Sequence, residues 1–221
     1  MNYSILLLAG SSTRFLNNIP KQFYRVKDKP IYYYSLKALN NAKDIDGIIL
    51  VTNKDKVLDV FNEAKQFNFI KVRAVIAGGT SRNESVKLGL DKIKEFANKD
   101  DIILIHDAAR PSLDEKLINI AINETKKYSA TTFAIHSYDT LVKAKNYIIT
   151  SYLNRNEIFR IQTPQTFKYE VICNAYKNFH LTNDDTELVH ALNIPVHLLK
   201  GEAKLFKITS FEDIKKLENY L

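Results

Sequence analysis

An alternation between short apolar runs and segments of helical periodicity constrains the fold of this chain more than any other feature. The runs "SILLLA", "GIILV" and "IILI" are unbroken, which is typical of strands that are covered on both faces. The segment "KVLDVFNEA" instead places its apolar residues three to four positions apart, as an amphipathic helix does. Strands that alternate with helices in this way predict an α/β fold, with a mostly parallel sheet and helices on both faces.

The length and the turn residues favour a single unit. A chain of 221 residues can form one large domain or two small ones, and six glycines and five prolines leave little material for a linker. We therefore expect one domain over residues 1–221. From residue 139 to about 167 the pattern becomes alternating and rich in β-branched residues. This stretch predicts a hairpin or arm rather than another strand–helix unit, and we place the arm at about 138–160.

The composition is that of an ordinary globular protein, with 45% hydrophobic and 26% charged residues. Cys173 is the single cysteine, so an intrachain disulfide cannot form and a reducing cytoplasm is expected. Residues 1–20 do not have the pattern of a secretory signal, and we expect neither export nor a membrane partner. Lys and Arg outnumber Asp and Glu by 32 − 25 = 7. That surplus suits an anionic partner, and it also suits a lysine-rich surface.

Three unusual loops follow the predicted strands directly. They read "AGSSTR", "GGTSRNES" and "HDAARP", and each is charged or contains glycine. In open parallel sheets, ligands bind outside the carboxyl ends of the strands, and these ends meet at one edge. A single loop of this kind would be no more than a turn. Three at the same edge predict a binding site there.

The first loop has the features of an anion site. It is neither a dinucleotide fingerprint nor a Walker A loop, but Gly10 and the small residues after it allow backbone amides to approach a ligand. Arg14 and Lys21 add two positive charges, which suit a polyphosphate whose charge grows during a reaction. The alternative is structural: Arg14 would pair with an acid, and Lys21 would be solvated.

The third loop adds a carboxylate. Asp107 ends a strand of isoleucines and leucines, and acids at this edge commonly hold Mg²⁺ together with substrate phosphates. The alternative is that Asp107 caps the next helix, although Pro111 and Asp114 are nearer to the start of that helix. Cations together with a strand-end acid indicate phosphoryl or nucleotidyl transfer, in which catalysis is mostly positioning and charge neutralisation.

A family resemblance follows from these motifs and others. In order, "LAG", "PKQF", "GGTSRNESVKLGL", "IHDAARP", "QTPQTF", "NDDTELV" and "KIT" resemble the cytidylyltransferases that activate 2-C-methyl-D-erythritol 4-phosphate for isoprenoid synthesis. The resemblance implies a Rossmann-like three-layer nucleotidyltransferase fold with a protruding β-arm that makes a homodimer. It also implies CTP as a substrate, Mg²⁺ as the cofactor, and release of pyrophosphate.

The resemblance also implies roles for individual residues. Arg14 and Lys21 match the pair that stabilises the pentacoordinate transition state, and Lys207 matches a lysine that orients substrate. The loops around the cytosine and ribose are matched by Ala9, Gly10, Gly79, Thr80, Arg82 and Ser85. The sugar-phosphate pocket is matched by Asp107, Arg110, Thr140, Arg155 and Thr163, and Ala108 is grouped with these substrate-binding positions. Arg155 is counted as catalytic, and Arg110, Thr140 and Arg155 are candidates to act in the neighbouring subunit. Asp107 is the candidate metal ligand.

The chain departs from the family at two positions. Ser12 replaces a glycine that is usual in the first loop, which would restrict the backbone near the nucleotide. Leu205 replaces an asparagine that usually stands two residues before the late lysine, which would remove one amide.

Three other functions are alternatives to this interpretation. A related cytidylyltransferase that uses ribitol phosphate shares most of the motifs, although Ala109 and "NDDTELV" favour methylerythritol phosphate. A nucleotide-binding protein with impaired catalysis is the second alternative. A nucleic-acid-binding module is the third, and it is disfavoured because the basic residues are spread along the chain.

Overall fold

A seven-stranded sheet forms the centre of the computed structural model, which describes residues 1–10, 15, 19–177, 182 and 184–220. The strands in chain order are β1 Asn2–Leu7, β2 Arg25–Val26, β3 Lys29–Pro30, β4 Gly47–Thr52, β5 Val72–Ala77, β6 Ile102–Asp107, β7 Ala130–His136, β8 Val142–Lys145, β9 Ile148–Tyr152, β10 Phe159–Lys168 and β11 His197–Lys200. The α-helices are α1 Ile31–Asn41, α2 Val57–Gln66, α3 Arg82–Ile93, α4 Glu115–Tyr128, α5 Tyr169–Lys177, α6 Asp185–His190 and α7 Glu212–Glu218.

The strand order of the central sheet is β11-β7-β10-β6-β1-β4-β5. All neighbouring strands are parallel except β10, which runs antiparallel between β6 and β7. Strands β1, β4 and β6 are the long apolar runs of the sequence, and their residues are almost entirely buried. The expected α/β fold with a mostly parallel sheet is therefore confirmed.

Helices cover both faces of the sheet and make two separate cores. One core lies under α1, α2 and α4 and includes Leu6, Leu50 and Leu104. The other lies under α3, α5 and α6 and includes Ile5 and Ile105. Successive residues of one strand point to opposite faces, so β1 and β6 contribute to both cores. This two-sided burial explains why their sequences are continuous apolar runs.

A smaller core supports the end of the chain. Helix α7 packs Ile214 and Leu217 against Phe15, Ile31 and other apolar residues. The Asp213 carboxylate accepts hydrogen bonds from backbone and hydroxyl groups of the two residues Thr209 and Ser210 at the start of this helix. Because Asp213 lies three residues after Ser210, these bonds resemble those of a capping box.

The alternating stretch is partly an arm and partly a core strand. Strands β8 and β9 form a separate two-stranded antiparallel hairpin, as the pattern predicted. From Phe159 onward, however, the chain belongs to β10 and joins the central sheet, so the arm is shorter than the stretch that ends near residue 167. Strand β7 has no counterpart in the sequence prediction. Its segment "ATTFAIH" lies between a clear helix and the arm, and it was assigned to neither.

Among the described residues, none of the helices is both long enough and apolar enough to cross a membrane.

Candidate active site

The loops that follow β1, β5 and β6 meet at the carboxyl edge of the sheet, as predicted. Gly78 makes the first two loops touch. A Cβ atom at Gly78 would lie 2.6 Å from Cβ of Ala9 and 2.8 Å from Oγ of Ser85, so only glycine allows this approach. The neighbouring Gly79 is among the predicted site residues, whereas Gly78 is not. The doubled glycine after an apolar run was the signal that could have found it.

The loop between β5 and α3 is held by its own hydroxyl groups. Ser81 caps α3 by accepting the Glu84 N–H at 3.1 Å. The Ser85 hydroxyl donates to the Ser81 carbonyl at 2.9 Å and accepts the Gly79 N–H at 3.1 Å. Thr80 donates its N–H and its hydroxyl to one carboxylate oxygen of Glu84, and the hydroxyl contact is the main cause that lowers the Glu84 pKa. Predicted ligand residues here thus also shape the loop.

The segment that carries Lys21 is anchored to the first loop. Lys21 begins a short 3-10 helix, Lys21–Phe23. Its next residue, Gln22, is buried and donates its side-chain amide to the carbonyls of Leu8 at 2.5 Å and Gly10 at 3.0 Å. Gln22 was not among the predicted site residues, although it lies in the quoted motif "PKQF". Arg14, the second predicted cation, lies outside the described residues, as does Ser12.

Asp107 lies at the centre of a cluster of opposite charges. Its Oδ1 is 3.2 Å from Nε of Arg82, and its Oδ2 is 2.6 Å from Nζ of Lys207. Burial by itself would raise the pKa of Asp107, but the charges of Arg82 and Lys207 outweigh it and hold the pKa far below its ordinary value. Asp107 is therefore ionised at neutral pH. The three residues come from β6, from α3 and from a loop near the end of the chain.

A second buried acid holds Arg82 from the other side. Asp185 is fully buried, and its Oδ2 lies 2.8 Å from Nη1 of Arg82 while its Oδ1 accepts the Tyr176 hydroxyl at 2.5 Å. Burial raises the pKa of Asp185, whereas Arg82 and Tyr176 oppose this shift. Asp185 and Tyr176 were missed. The motif "NDDTELV" contains Asp185, but a sequence does not show which of two adjacent acids is buried.

Arg110 is held by backbone groups of its own chain. Its Nη1 donates to the Leu205 carbonyl at 2.6 Å, and its Nη2 lies 3.5 Å from the Ile161 carbonyl. Its buried Nε has no hydrogen-bond partner among the described residues. Burial is the main cause that lowers the Arg110 pKa, and the negative charge of Asp107 opposes it. A buried guanidinium with an unused N–H is suited to receive an anion.

The departure at Leu205 removes nothing from this site. The Leu205 side chain is fully buried in the core under α1 and α4, and its backbone carbonyl is the group that holds Arg110. Ala108 is likewise fully buried in that core. Its methyl group therefore shapes the turn after β6 and does not itself line an open surface.

Thr163 joins the third loop to β10. Its hydroxyl oxygen accepts the backbone N–H of Asp107 at 3.1 Å and lies 3.0 Å from Nδ1 of His106. His106 is fully buried, and burial lowers its pKa to about 4. It is therefore neutral at pH 7. Thr163 is one of the predicted site residues, whereas His106 is not.

The two predicted residues of the arm stand apart from this cluster. Thr140 and Arg155 are exposed, and within the described part of the chain their side chains make neither a hydrogen bond nor an ion pair with Asp107, Arg110 or Lys207.

The described side chains around Asp107 do not form a metal site by themselves. Both oxygens of Asp107 already receive positively charged groups, and the described residues contain no cluster of three or more His, Cys, Asp or Glu side chains able to hold a metal ion. Mg²⁺ commonly binds one or two carboxylates together with substrate phosphates. Asp107 alone thus fits such an ion only as one ligand beside a bound phosphate.

An α/β sheet with an acid and several cations at its carboxyl edge is the arrangement of proteins that bind phosphorylated ligands there. Residues 3–221 match the family model of 2-C-methyl-D-erythritol 4-phosphate cytidylyltransferase. The chain therefore belongs to this family, as the motifs indicated.

Relatives and solved structures agree with this assignment. The 2-C-methyl-D-erythritol 4-phosphate cytidylyltransferase of Clostridium novyi is 37% identical over all of this chain and 96% of its own length. The protein of the same name from Lachnoclostridium phytofermentans is 38% identical and is covered to 92%, over 96% of this chain. The crystal structure of 4-diphosphocytidyl-2C-methyl-D-erythritol synthase from Anaerococcus prevotii superposes with a TM-score of 0.83 at 26% identity, over 99% of this chain and 95% of that one.

Proposed function

We propose that this chain transfers the cytidylyl group of CTP to 2-C-methyl-D-erythritol 4-phosphate, giving CDP-methylerythritol and pyrophosphate. The observation that carries the proposal is the Arg82–Asp107–Lys207 cluster at the carboxyl edge of β6, in a chain that matches this family over residues 3–221. The cluster provides fixed charges beside a loop built for backbone contacts, and nucleotidyl transfer requires both.

The reaction is a direct displacement at phosphorus. An oxygen of the acceptor phosphate forms a bond to the α-phosphorus of CTP, and the bond from that phosphorus to the bridging oxygen of the β-phosphate breaks. Pyrophosphate leaves with the electron pair of that bond. Because the acceptor phosphate oxygen is itself the nucleophile, a protein nucleophile is not needed. Negative charge increases on the oxygens around the α-phosphorus, and a preorganised cation stabilises it. Lys21 takes this role together with Arg14, as the family resemblance implies.

The nucleotide end of the site is the pair of loops after β1 and β5. Gln22 fixes the Lys21 segment against the first loop, and Gly78 packs the second loop directly against Ala9. Cytosine and ribose would lie against this surface, with backbone groups of Gly10 and Gly79 in contact with them.

The acceptor end is the surface around Asp107, Arg110, Thr163 and Lys207. Arg110 is suited to a phosphate because its buried Nε lacks a partner among the described residues. Lys207 forms an ion pair with Asp107, so its ammonium group could exchange one oxygen partner for another when substrate binds.

A homodimer would complete this site. Ile148 and Tyr152 in the β8–β9 hairpin are 71% and 70% exposed, and more apolar residues, among them Tyr138, Tyr147 and Ile149, are exposed on the same arm. An exposed apolar hairpin of this kind indicates an interface. We infer that the arm packs on a second copy of the chain and brings Thr140 and Arg155 to the partner's acceptor phosphate. Arg110, which the family resemblance groups with Thr140 and Arg155, would contact the same phosphate.

Mg²⁺ is part of the proposal as a companion of the triphosphate. It would bind mainly through the phosphates of CTP and would neutralise part of their charge. Asp107 would become its protein ligand only by giving up one of its two cationic partners.

The reducing cytoplasm is the proposed location, since CTP is a cytoplasmic nucleotide and the chain has one cysteine.

A comparison of acceptors tests the proposal. Purified protein is incubated with CTP and Mg²⁺, and pyrophosphate release is measured with 2-C-methyl-D-erythritol 4-phosphate and, separately, with ribitol 5-phosphate. We expect release with the first acceptor and little with the second. Release with ribitol 5-phosphate alone would reassign the acceptor, and release with neither would indicate a nucleotide-binding protein without this activity.

A further inference from the structure

The further inference concerns His106, a fully buried histidine that the displacement reaction does not use. It is the next-to-last residue of β6 and directly precedes Asp107. One ring nitrogen, Nε2, lies 3.0 Å from the backbone carbonyl oxygen of Arg110. The other, Nδ1, lies 3.0 Å from the Thr163 hydroxyl oxygen, which also accepts the Asp107 N–H. The imidazole therefore contacts Arg110 at one end of the turn directly, and it is linked to Asp107 at the other end through the Thr163 hydroxyl.

The partners of the ring determine where its proton lies. A carbonyl oxygen can only accept, so Nε2 must carry the hydrogen and donate to Arg110. In a neutral ring Nδ1 then has a lone pair and accepts from the Thr163 hydroxyl. The Thr163 oxygen keeps a free lone pair for the Asp107 N–H. With this one tautomer, every donor in the series has an acceptor.

The irregular backbone of β10 places Thr163 in this series of hydrogen bonds. The pairing of β10 with β7 is interrupted between Ile161 and Gln165, and Thr163 lies in the interruption. Irregularities of this kind re-aim side chains and are common beside active sites. Here the interruption turns the Thr163 hydroxyl toward the end of β6, where it takes the place of a ladder partner for the Asp107 N–H. The buried hydroxyl hydrogen then needs an acceptor of its own, and His106 Nδ1 lies where it can serve as one.

We propose that His106, through the hydrogen bonds of its two ring nitrogens with Nε2 as the donor, is a positioning residue that orients the Thr163 hydroxyl and the Asp107–Arg110 turn for the acceptor phosphate. The inference rests on the proposed function, because that function assigns Thr163 and Arg110 to the acceptor. His106 contacts neither substrate, and it acts through these two residues.

Three variants separate positioning from simple packing. His106→Leu removes both hydrogen bonds, and we expect it to raise the KM for 2-C-methyl-D-erythritol 4-phosphate about tenfold, with a change below about twofold in the KM for CTP. His106→Asn places an amide oxygen near the Nδ1 position and can still accept from Thr163. It is expected to keep the acceptor KM within about threefold of the wild-type value. His190→Leu, at an exposed histidine of α6, is the control and should change neither KM.

The tautomer is measured without any activity assay. Long-range ¹H–¹⁵N NMR spectra of histidine-labelled wild-type protein at pH 7 distinguish the two ring nitrogens, and the His106 signals are identified by their loss in His106→Asn. We expect the Nε2–H form. A ring that carries hydrogen on Nδ1 would overturn the proposal, because Nδ1 could then not accept from the Thr163 hydroxyl.

Two kinetic outcomes would also overturn it. One is an unchanged acceptor KM in a folded His106→Leu protein, and the other is equal impairment of the Asn and Leu variants, which would indicate packing alone. If the Leu variant does not fold, the acceptor KM of the Asn variant and the tautomer found by NMR test the proposal. If wild-type protein uses neither acceptor, the proposed function fails, while the tautomer is still determined by NMR.

Discussion

Nζ of Lys207 lies 2.6 Å from Oδ2 of Asp107, although 100 residues separate the two in the chain. Arg82 approaches the other oxygen of the same carboxylate at 3.2 Å. Asp107 thus holds two cations at the carboxyl edge of the sheet. This arrangement keeps like charges close together where a polyphosphate would be bound, and it links the stability of the site to the charge of Asp107.

The first prediction concerns that charge. Asp107→Asn leaves the largely buried Arg82 with one carboxylate partner fewer, and we expect a loss of about 2 kcal/mol of unfolding free energy at pH 7, since Lys207 is partly exposed and contributes less. Urea titration measures it. Asp59→Asn, which breaks the solvent-exposed pair with Lys56, is the control and should leave the unfolding free energy nearly unchanged.

The pH dependence of this difference has a definite sign. The folded-state pKa of Asp107 is depressed, so its stabilisation is complete above its unfolded pKa of about 3.9 and is lost as the pH falls below it. The gap between wild type and Asp107→Asn should therefore shrink below about pH 4. Asp185, with a raised pKa, has the opposite sign but is present in both proteins. A gap that is constant down to pH 3 would contradict the ion-pair account.

The second prediction concerns Lys21. If its charge acts mainly in the transition state, Lys21→Ala should lower kcat a hundredfold or more, which corresponds to about 3 kcal/mol, with a much smaller rise in the KM for CTP. Steady-state kinetics with varied CTP measure both constants. Lys37→Ala, at an exposed position of α1, is the matched control and should behave as wild type. An unchanged kcat would show that Lys21 is a surface lysine.

The third prediction concerns the arm. Ile148→Asp places a charge on the exposed apolar hairpin, and it should convert a dimer to monomers because a buried unpaired carboxylate is costly. Sedimentation velocity gives the mass of each species. Ile70→Asp is the control, since Ile70 is also strongly exposed but lies far along the chain from the hairpin. If wild-type protein sediments as a monomer, the dimer proposal is wrong.

The fourth prediction concerns Arg155. If Arg155 serves the partner's site, a mixture of the inactive variants Arg155→Ala and Lys21→Ala should regain part of the activity after subunit exchange. One site of each mixed dimer then has an intact Lys21 from its own chain and an intact Arg155 from the other. Mixed dimers are quantified with differently tagged chains. Their formation without any recovery would place Arg155 in its own subunit's site.

The sequence predicted the elements whose signals are local. Asp107 could be placed at a strand end because the run "IILI" stops at His106 and Asp107, and Asp114 could be expected at the start of α4, where it is the N-cap. Strand β7 was not predicted, because its burial depends on pairing with β10 and β11 on either side. Such pairings join distant segments and leave no periodic signal in one short run.

The contacts of the site were harder to predict than its members. Lys207 and Arg82 were predicted from the family resemblance. Their spacing in the sequence, however, does not show that both pair with Asp107. Gln22 and Asp185 lie inside quoted motifs, yet only their burial shows that they anchor the Lys21 segment and Arg82. Burial and long-range ion pairing are properties of the assembled fold. Sequence patterns, which are local, therefore predict the contacts of the site less well than its members.

The most direct test of the account is the identity of the product. Wild-type protein is incubated with CTP, Mg²⁺ and 2-C-methyl-D-erythritol 4-phosphate, and the mixture is followed by ³¹P NMR and mass spectrometry. We predict equal amounts of pyrophosphate and of CDP-methylerythritol, in which the acceptor phosphorus and the α-phosphorus are coupled through one bridging oxygen, and much slower formation of both with Lys21→Ala. Recovery of unreacted CTP and acceptor from folded protein would contradict the account.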